Sequence, residues 1–323
     1  MKCVKQAFII LLSLVLTTSC AQPNLLTDVS DTDSDDALYY EAKQKLDALE
    51  WDAAIDIIEN QISPSYAAKV SVKETLAGAY AGKCGFTFVD ILSGMQNSPS
   101  ANIFPFFVSI FGGNTLDTAS CDQAITIISS LGTVLERTQD QNLFMTILGI
   151  ARIGTTISAK LDPTNDGVVD GVYNTDYSVC HNYSGAPGTA TATDGWEQPG
   201  PSPQNPLAIP APAVAPTRSI TNTEAKKIAS GIGMIFENIS ALASVLSGDN
   251  STLTALQDAL EQCESVAGAG NCTATNEAAV TDELLYTIRV LMDTNGMGFG
   301  TCDPTKVYPD AAACCPRLKI PGF

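Results

Sequence analysis

The sequence predicts an all-α fold, a helical-hairpin array or bundle stapled by disulfides, and three observations carry that expectation. Apolar residues recur at spacings of three and four through most of the chain, strand-like alternation is scarce, and several helices have legible starts and stops. Residues 221–248 are the clearest case. Thr221 and Glu224 are spaced as a capping box, Ile228, Ile232, Ile235, Ile239, Leu242 and Leu246 then line one face, and Gly248 predicts the stop.

In chain order, Lys2 and Lys5 precede an apolar run over residues 7–16, and small polar residues follow it. That is the order of an export signal, and the run is shorter than the roughly 20 residues a spanning helix needs. The segment Leu16-Thr17-Thr18-Ser19-Cys20 resembles the lipobox of bacterial lipoproteins. The resemblance implies that residues 1–19 are removed and that Cys20 is acylated and becomes the new N-terminus. Ala21 after the cysteine resembles lipoproteins sorted to an outer membrane. The departure is Thr17, which stands where the family has leucine, with Leu16 one place further back. The alternative is ordinary cleavage after Ala21, which gives a secreted or periplasmic soluble protein. Residues 20–36 carry Asp28, Asp31, Asp33, Asp35 and Asp36 among small polar residues, which suits a solvated tether.

Residues 37–182 form a first helical block. A break near Glu50 and Trp51 predicts a helix–turn–helix, Pro64 follows the second helix, and residues 72–86 begin a third. Tyr39, Tyr40 and Trp51 read as packing within that hairpin. Ala42 and Ala77 lie 35 residues apart, and Leu76, Ala77, Tyr80 and Ala54 occupy positions that resemble those of tetratricopeptide-type repeats. That resemblance covers about one and a half repeats, and Lys45 stands where an aromatic residue is usual. Further on, Ile125, Ile128, Leu131 and Leu135 are placed on one face. Residues 143–160 are apolar nearly all round apart from Arg152, which predicts a core helix. The segment NIFPFFVSIF is interrupted by Pro105 and is too short to span a membrane.

Residues 183–220 lose all periodicity and are rich in Pro, Gly and Ala, an extended linker or long surface loop. Residues 221–323 make a second helical block, with further helices expected near 252–266 and 276–294 and a Cys-rich coil at the end. The two blocks can pack as one body or as two.

Composition removes some function classes. The chain carries 17 basic and 35 acidic residues, a net charge of −18. Without Lys2 and Lys5, 15 basic residues face 35 acidic ones, so a phosphate backbone is not the partner, since nucleic-acid binders carry a basic face. Of ten cysteines, Cys3 and Cys20 belong to the signal or the anchor. The other eight are Cys84, Cys121, Cys180, Cys263, Cys272, Cys302, Cys314 and Cys315, an even number that suggests disulfides in an exported chain. Cys263 and Cys272 bracket a Gly-rich turn. Cys302 is expected to pair with Cys314 or Cys315, Cys84 with Cys121, and Cys180 with the remaining one of the adjacent pair. Zinc is disfavoured, because no Cys-x-x-Cys occurs and His181 is the sole histidine.

One stretch has the spacing of a metal loop. In LDPTNDGVVDGVYNTD, Asp162, Thr164, Asp166, the Val168 carbonyl and Asp170 occupy positions 1, 3, 5, 7 and 9 of a calcium loop. Gly167 supplies the turn and Val169 the inward apolar residue, and alternating oxygens of this kind suit Ca²⁺. Tyr173 replaces the bidentate Glu of position 12, leaving Asp176 to compensate. The competing reading is a polar turn. No catalytic set stands out: His181 sits in a polar loop, and Gly231 and Gly233 fall inside a helix, where they allow close packing rather than cradle phosphate. The expectation is a non-enzymatic, lipid-anchored envelope scaffold that engages a periplasmic or outer-membrane protein. The alternative is a small-solute-binding accessory lipoprotein that looks broadly similar to the T component of TRAP transporters.

Overall fold

The structure is a computed structural model and describes residues 33–85, 102–113, 116–180, 216–245, 251–267, 271–303, 305–306 and 314–315. The expected signal segment with Cys20, His181 and most of the proline-rich stretch lie outside the described residues. Among those described there are eleven helices and a single two-stranded pairing, so the fold is all-α. The chain divides into two compact units, residues 1–69 and 70–323.

In the first unit, α1 (Asp35–Asp47) and α2 (Trp51–Asp56, continuing as a π-helical turn over Ile57–Gln61) form a hairpin. Ser34 caps α1 by accepting from the Ala37 N–H. The turn needs a left-handed residue, and Leu49 supplies it at φ 61°. The Ser63 N–H and hydroxyl both donate to Asp35, at 2.7 and 2.5 Å, which ties the end of the hairpin to its beginning and holds the Asp35 carboxyl below its usual range. The short helix α3 (Pro64–Ala67) follows, and the Tyr66 hydroxyl donates to Asp36. Ala42 and Ala54 are fully buried, as small residues at a close helix crossing should be.

The second unit is built around α7 (Gln139–Leu161). Before it come α4 (Val70–Lys83), α5 (Ile103–Ser109) and α6 (Thr118–Ser129); after it come α8 (Asn222–Glu237), α9 (Ile239–Val245), α10 (Ser251–Ala267) and α11 (Asp282–Asp293). Helix α7 starts at a capping box, with Thr138 and Gln141 each satisfying the other's backbone N–H. It is the one described helix long and apolar enough to cross a membrane, but 83% of its most apolar stretch is buried inside the protein. Helices α5, α6, α8 and α9 pack against it, which accounts for its apolar character on every side. Pro105 sits in the first turn of α5, where its missing N–H costs no helical bond, and Phe104, Phe106 and Phe107 enter the core around it.

The α7–α8 contact depends on missing side chains. A Cβ on Gly149 would lie 2.7 Å from the Gly231 carbonyl oxygen, and one on Gly231 would lie 2.7 Å from the Ile153 side chain. Gly233 similarly lets the Ala274 backbone approach to where a Cβ would be. Backbone cannot yield as a side-chain tip can, so Gly149→Ala is expected to cost about 1–3 kcal/mol by overpacking. A urea titration read by near-UV circular dichroism checks this, and an unchanged midpoint would contradict it.

Arg152, the charge inside α7, is buried but not isolated. Its guanidinium meets Glu277 at 2.6 Å, Asp122 at 3.2 Å and the Ser230 hydroxyl at 2.9 Å, while Lys227 also holds Asp122 at 2.6 Å. These partners come from α6, α8 and the 3-10 turn Glu277–Ala279, so one cation fixes the register of three neighbours.

Four details differ from the sequence expectation. The helix from residue 222 ends at Glu237, and α9 starts at Ile239. Asn238 makes the break by turning its side-chain amide back to the Met234 carbonyl, 2.7 Å away, where it accepts the Arg137 guanidinium at 3.2 Å. Helix α6 stops at Ser129, so Leu131 lies past its end and Leu135, 93% exposed, sits on a turn rather than on the apolar face with Ile125 and Ile128. Glu277–Ala279 form a 3-10 turn followed by extended Val280, and α11 begins only after Thr281, which caps it. Finally, Arg218 and Ser219, within the 183–220 stretch, pair in parallel with Tyr177 and Ser178. Residues on both sides of that stretch contribute to the same core.

Candidate functional site

The 162–170 loop leaves the C-terminus of α7 at Asp162, which is buried. One Asp162 oxygen accepts the Gly167 N–H at 2.9 Å, and the other accepts the Asp166 N–H at 3.2 Å. Asp166 accepts the Val168 N–H at 2.9 Å, and Asp170 accepts both the N–H and the hydroxyl of Thr164 at 3.0 Å. Gly167 turns at φ 84° and packs directly on Gly112, whose absent side chain gives it room. Arg218 closes the loop from outside, donating to the Leu161 carbonyl at 2.9 Å and the Asp170 carbonyl at 2.6 Å. Asp162, Thr164, Asp166 and Asp170 are therefore brought together, each already engaged within the loop, and the Val168 side chain faces solvent.

Beyond Asp170 the polar groups are engaged in turn and tertiary contacts. Asp176 accepts the Val172 N–H at 2.7 Å, the contact of a turn whose Gly171 leaves no room for a Cβ. Tyr173 turns away from the loop, and its hydroxyl donates to Asp293 at 2.5 Å.

Asp293 ends α11 and forms a second, more enclosed centre. Its other oxygen accepts the Cys315 N–H at 2.7 Å. Sulfur atoms of two disulfides crowd the carboxylate: Cys180 and Cys315 form one cluster with it, Cys302 and Cys314 another, and in each cluster the ligand-type atoms lie within 4.8 Å of one another. The loop after α11 wraps closely because Gly298 and Gly300 have no side chain to meet the Met292 and Asp293 carbonyls. Tyr177 and Phe299 stack edge-on behind Tyr173, closing the aromatic side. Burial pushes the Asp293 carboxyl above its usual range, although the Cys315 N–H and the Tyr173 hydroxyl pull it down. Tyr286 is pushed up to about 12, by burial first and by the Asp293 charge second.

The eight described cysteines form four disulfides, Cys84–Cys121, Cys180–Cys315, Cys263–Cys272 and Cys302–Cys314, with Cα separations of 4.9 to 6.1 Å. The choice that spacing left open is thus Cys302 with Cys314 and Cys180 with Cys315. Above Asp293 on α11, fully buried Arg289 donates to the Val179 carbonyl at 2.7 Å, the Ile220 carbonyl at 2.9 Å and Asn222 at 3.0 Å. It thereby joins both strands of the small pairing to α11.

Sequence reasoning did not pick out Asp293, Arg218 or Arg289 as members of a site. A cation and an acid four apart on an otherwise apolar helix, Leu284–Asp293, were the available signal for two of them. Arg218 left none, because it sits at the end of a stretch without periodicity.

An apolar cavity lies between α5, α8, α10 and α11, lined by Phe104, Phe107, Ile232, Phe236, Leu256 and Leu291 among others. Its open volume is about 10 Å³, on the order of one water molecule. No family model, curated protein or solved structure matches the chain.

Proposed function

We propose that this chain is a lipid-anchored cell-envelope protein whose helical body holds a periplasmic or outer-membrane protein partner. The observation that supports it best is the pairing of all eight mature cysteines, seven of them with buried side chains, which suits an oxidising compartment outside the cytoplasm. The anchor rests on the lipobox-like segment before Cys20 and the acidic tether after it. The solute-binding alternative needs an enclosed pocket of several hundred Å³, and the cavity between α5, α8, α10 and α11, at about 10 Å³, is not that pocket. The test is purification of the native protein from detergent-extracted envelopes. A single envelope protein held in fixed stoichiometry through two unrelated columns is expected; a lone chain carrying a small solute would overturn the reading in favour of the alternative.

Within that reading, calcium is a structural ligand of the loop built from Asp162, Thr164, Asp166, the Val168 carbonyl and Asp170. The one-three-five-seven-nine spacing of oxygen-bearing residues and the Gly167 turn favour it, and binding requires Thr164 to release Asp170. A ion bound only by the folded state must stabilise it, by about 2.7 kcal/mol at a hundred times its Kd. The melting temperature is expected to rise by several degrees between chelator and millimolar calcium. An identical melting curve in both would remove calcium from the account.

A further inference from the structure

The four disulfides are not equally protected. Cys84, Cys121, Cys180, Cys263, Cys272, Cys314 and Cys315 are buried, whereas Cys302 is partly exposed. Its partner Cys314 is buried, and the carboxylate of Asp293 lies within 4.8 Å of both sulfurs. Cys302 is thus the disulfide cysteine that retains surface exposure, and the sulfur of its partner, the leaving group, lies within 4.8 Å of an acid. We infer that Cys302–Cys314 is a thiol–disulfide exchange site for external dithiols, with Asp293 carrying the proton.

The chemistry balances with a dithiol as the co-reactant. One thiol of the dithiol sheds its proton to solvent, and its sulfur attacks Cys302 Sγ to form a mixed disulfide. The Cys302–Cys314 bond breaks, its electron pair leaves on Cys314 Sγ, and the Asp293 carboxyl protonates that sulfur. The Asp293 carboxylate next takes the proton of the second thiol, whose sulfur attacks the mixed disulfide. Cys302 leaves and is protonated from solvent. The dithiol has lost two electrons and two protons to become a disulfide, and Cys302 and Cys314 have gained them as two thiols.

The surroundings of Asp293 suit the role. Burial raises its carboxyl, so that it holds a proton further up the pH scale than an exposed aspartate does. Facing it are the Tyr173 hydroxyl from the loop after α7 and Tyr286 from α11, whose own hydroxyl reaches the Cys314 carbonyl at 3.5 Å. Arg289, one turn back on α11, spends its guanidinium on the Val179 and Ile220 carbonyls and on Asn222. The nearby Cys180–Cys315 bond is buried at both ends and serves as the built-in comparison, together with the other two.

The test uses the purified full-length oxidised chain and dithiothreitol as the dithiol, with timed alkylation and mass mapping of each cysteine. Cys302 and Cys314 are expected to become alkylated together while the other three disulfides remain closed and the helical signal is unchanged. Asp293→Asn is expected to slow that opening by roughly 10- to 100-fold and to remove its dependence on pH in the acid range. Should that variant not fold, Tyr173→Phe keeps the carboxylate but removes one hydrogen bond to its charged form, and is expected to move the pH midpoint upward. Opening of all four disulfides in step with unfolding would overturn the proposal. So would an unchanged rate and pH profile in Asp293→Asn, or an unmoved midpoint in Tyr173→Phe if that variant is the one used. None of these readouts depends on lipidation or on a protein partner.

Discussion

Replacing Cys180 and Cys315 together by alanine is expected to lower stability by about 3–5 kcal/mol. The bond joins residues 135 apart, and the loop-closure entropy it removes from the unfolded chain comes to about 5 kcal/mol in the chain-entropy model. The bonds Cys263–Cys272 and Cys302–Cys314 lie inside that loop and shorten it little, with separations of 9 and 12. Cys180 follows the β1 strand (Tyr177–Ser178), and Cys315 presents its N–H to Asp293. Loss of the bond thus frees the segment that carries the parallel pairing as well as the end of the chain. Equilibrium urea unfolding of the double variant against the parent measures the effect. A loss below about 1 kcal/mol would mean that the bond joins segments already held together by packing.

Arg289→Ala is expected to be of similar size, about 3–5 kcal/mol. The guanidinium is fully buried and supplies the donors for the Val179 and Ile220 carbonyls. Truncation leaves both acceptors inside the protein without that donor, at about 1–3 kcal/mol each, and opens a cavity where the side chain lay. Arg289→Lys should recover only part of the loss, because a single ammonium cannot reproduce the planar fork that reaches two carbonyls and Asn222. Thermal and urea unfolding of both variants check the order, parent above lysine above alanine. Equal stability of the lysine variant and the parent would contradict the account of the fork.

Asp293 gives the site a pH dependence opposite to that of Asp35 or Asp117, whose carboxyls are held below their usual range by hydrogen bonds from Ser63 and Ser120. A raised carboxyl means that the folded state binds the proton more tightly than the unfolded chain does. Its contribution is fully present below the unfolded value and is lost as the pH rises through the folded one. Parent and Asp293→Asn should therefore differ more in melting temperature above that range than below it, with the parent losing ground as the pH rises.

Much of the helical architecture was legible because its cause is local. The capping box of Thr221 and Glu224, the break at Trp51 and the long, nearly all-apolar run of α7 each follow from neighbouring residues, and each element is present. Gly231 and Gly233 were legible for a related reason: glycines inside a helical pattern have few uses besides close approach. What was not legible depends on tertiary partners. Asn238 interrupts a periodic helix because its side chain serves Arg137 as well as its own backbone, and nothing in the periodicity announces Arg137, 101 residues earlier. The face expected to include Leu131 and Leu135 failed because Gly132 turns the chain at φ 132°. Tyr173 was legible only as the departure at the twelfth position counted from Asp162; that its hydroxyl donates to Asp293 on α11 depends on a residue 120 positions away. The centre around Asp293 collects Tyr173, Cys180, Cys302, Cys314 and Cys315 from segments far apart in the chain, so only the fold could bring them together.

The central claim, a lipid-anchored envelope protein, is tested most directly by the mass of the N-terminal peptide of the natively expressed protein taken from the membrane fraction. The account predicts a chain beginning at Cys20, its mass raised by a diacylglyceryl group. An unmodified chain beginning at Gln22, or one that still carries residues 1–19, would contradict it.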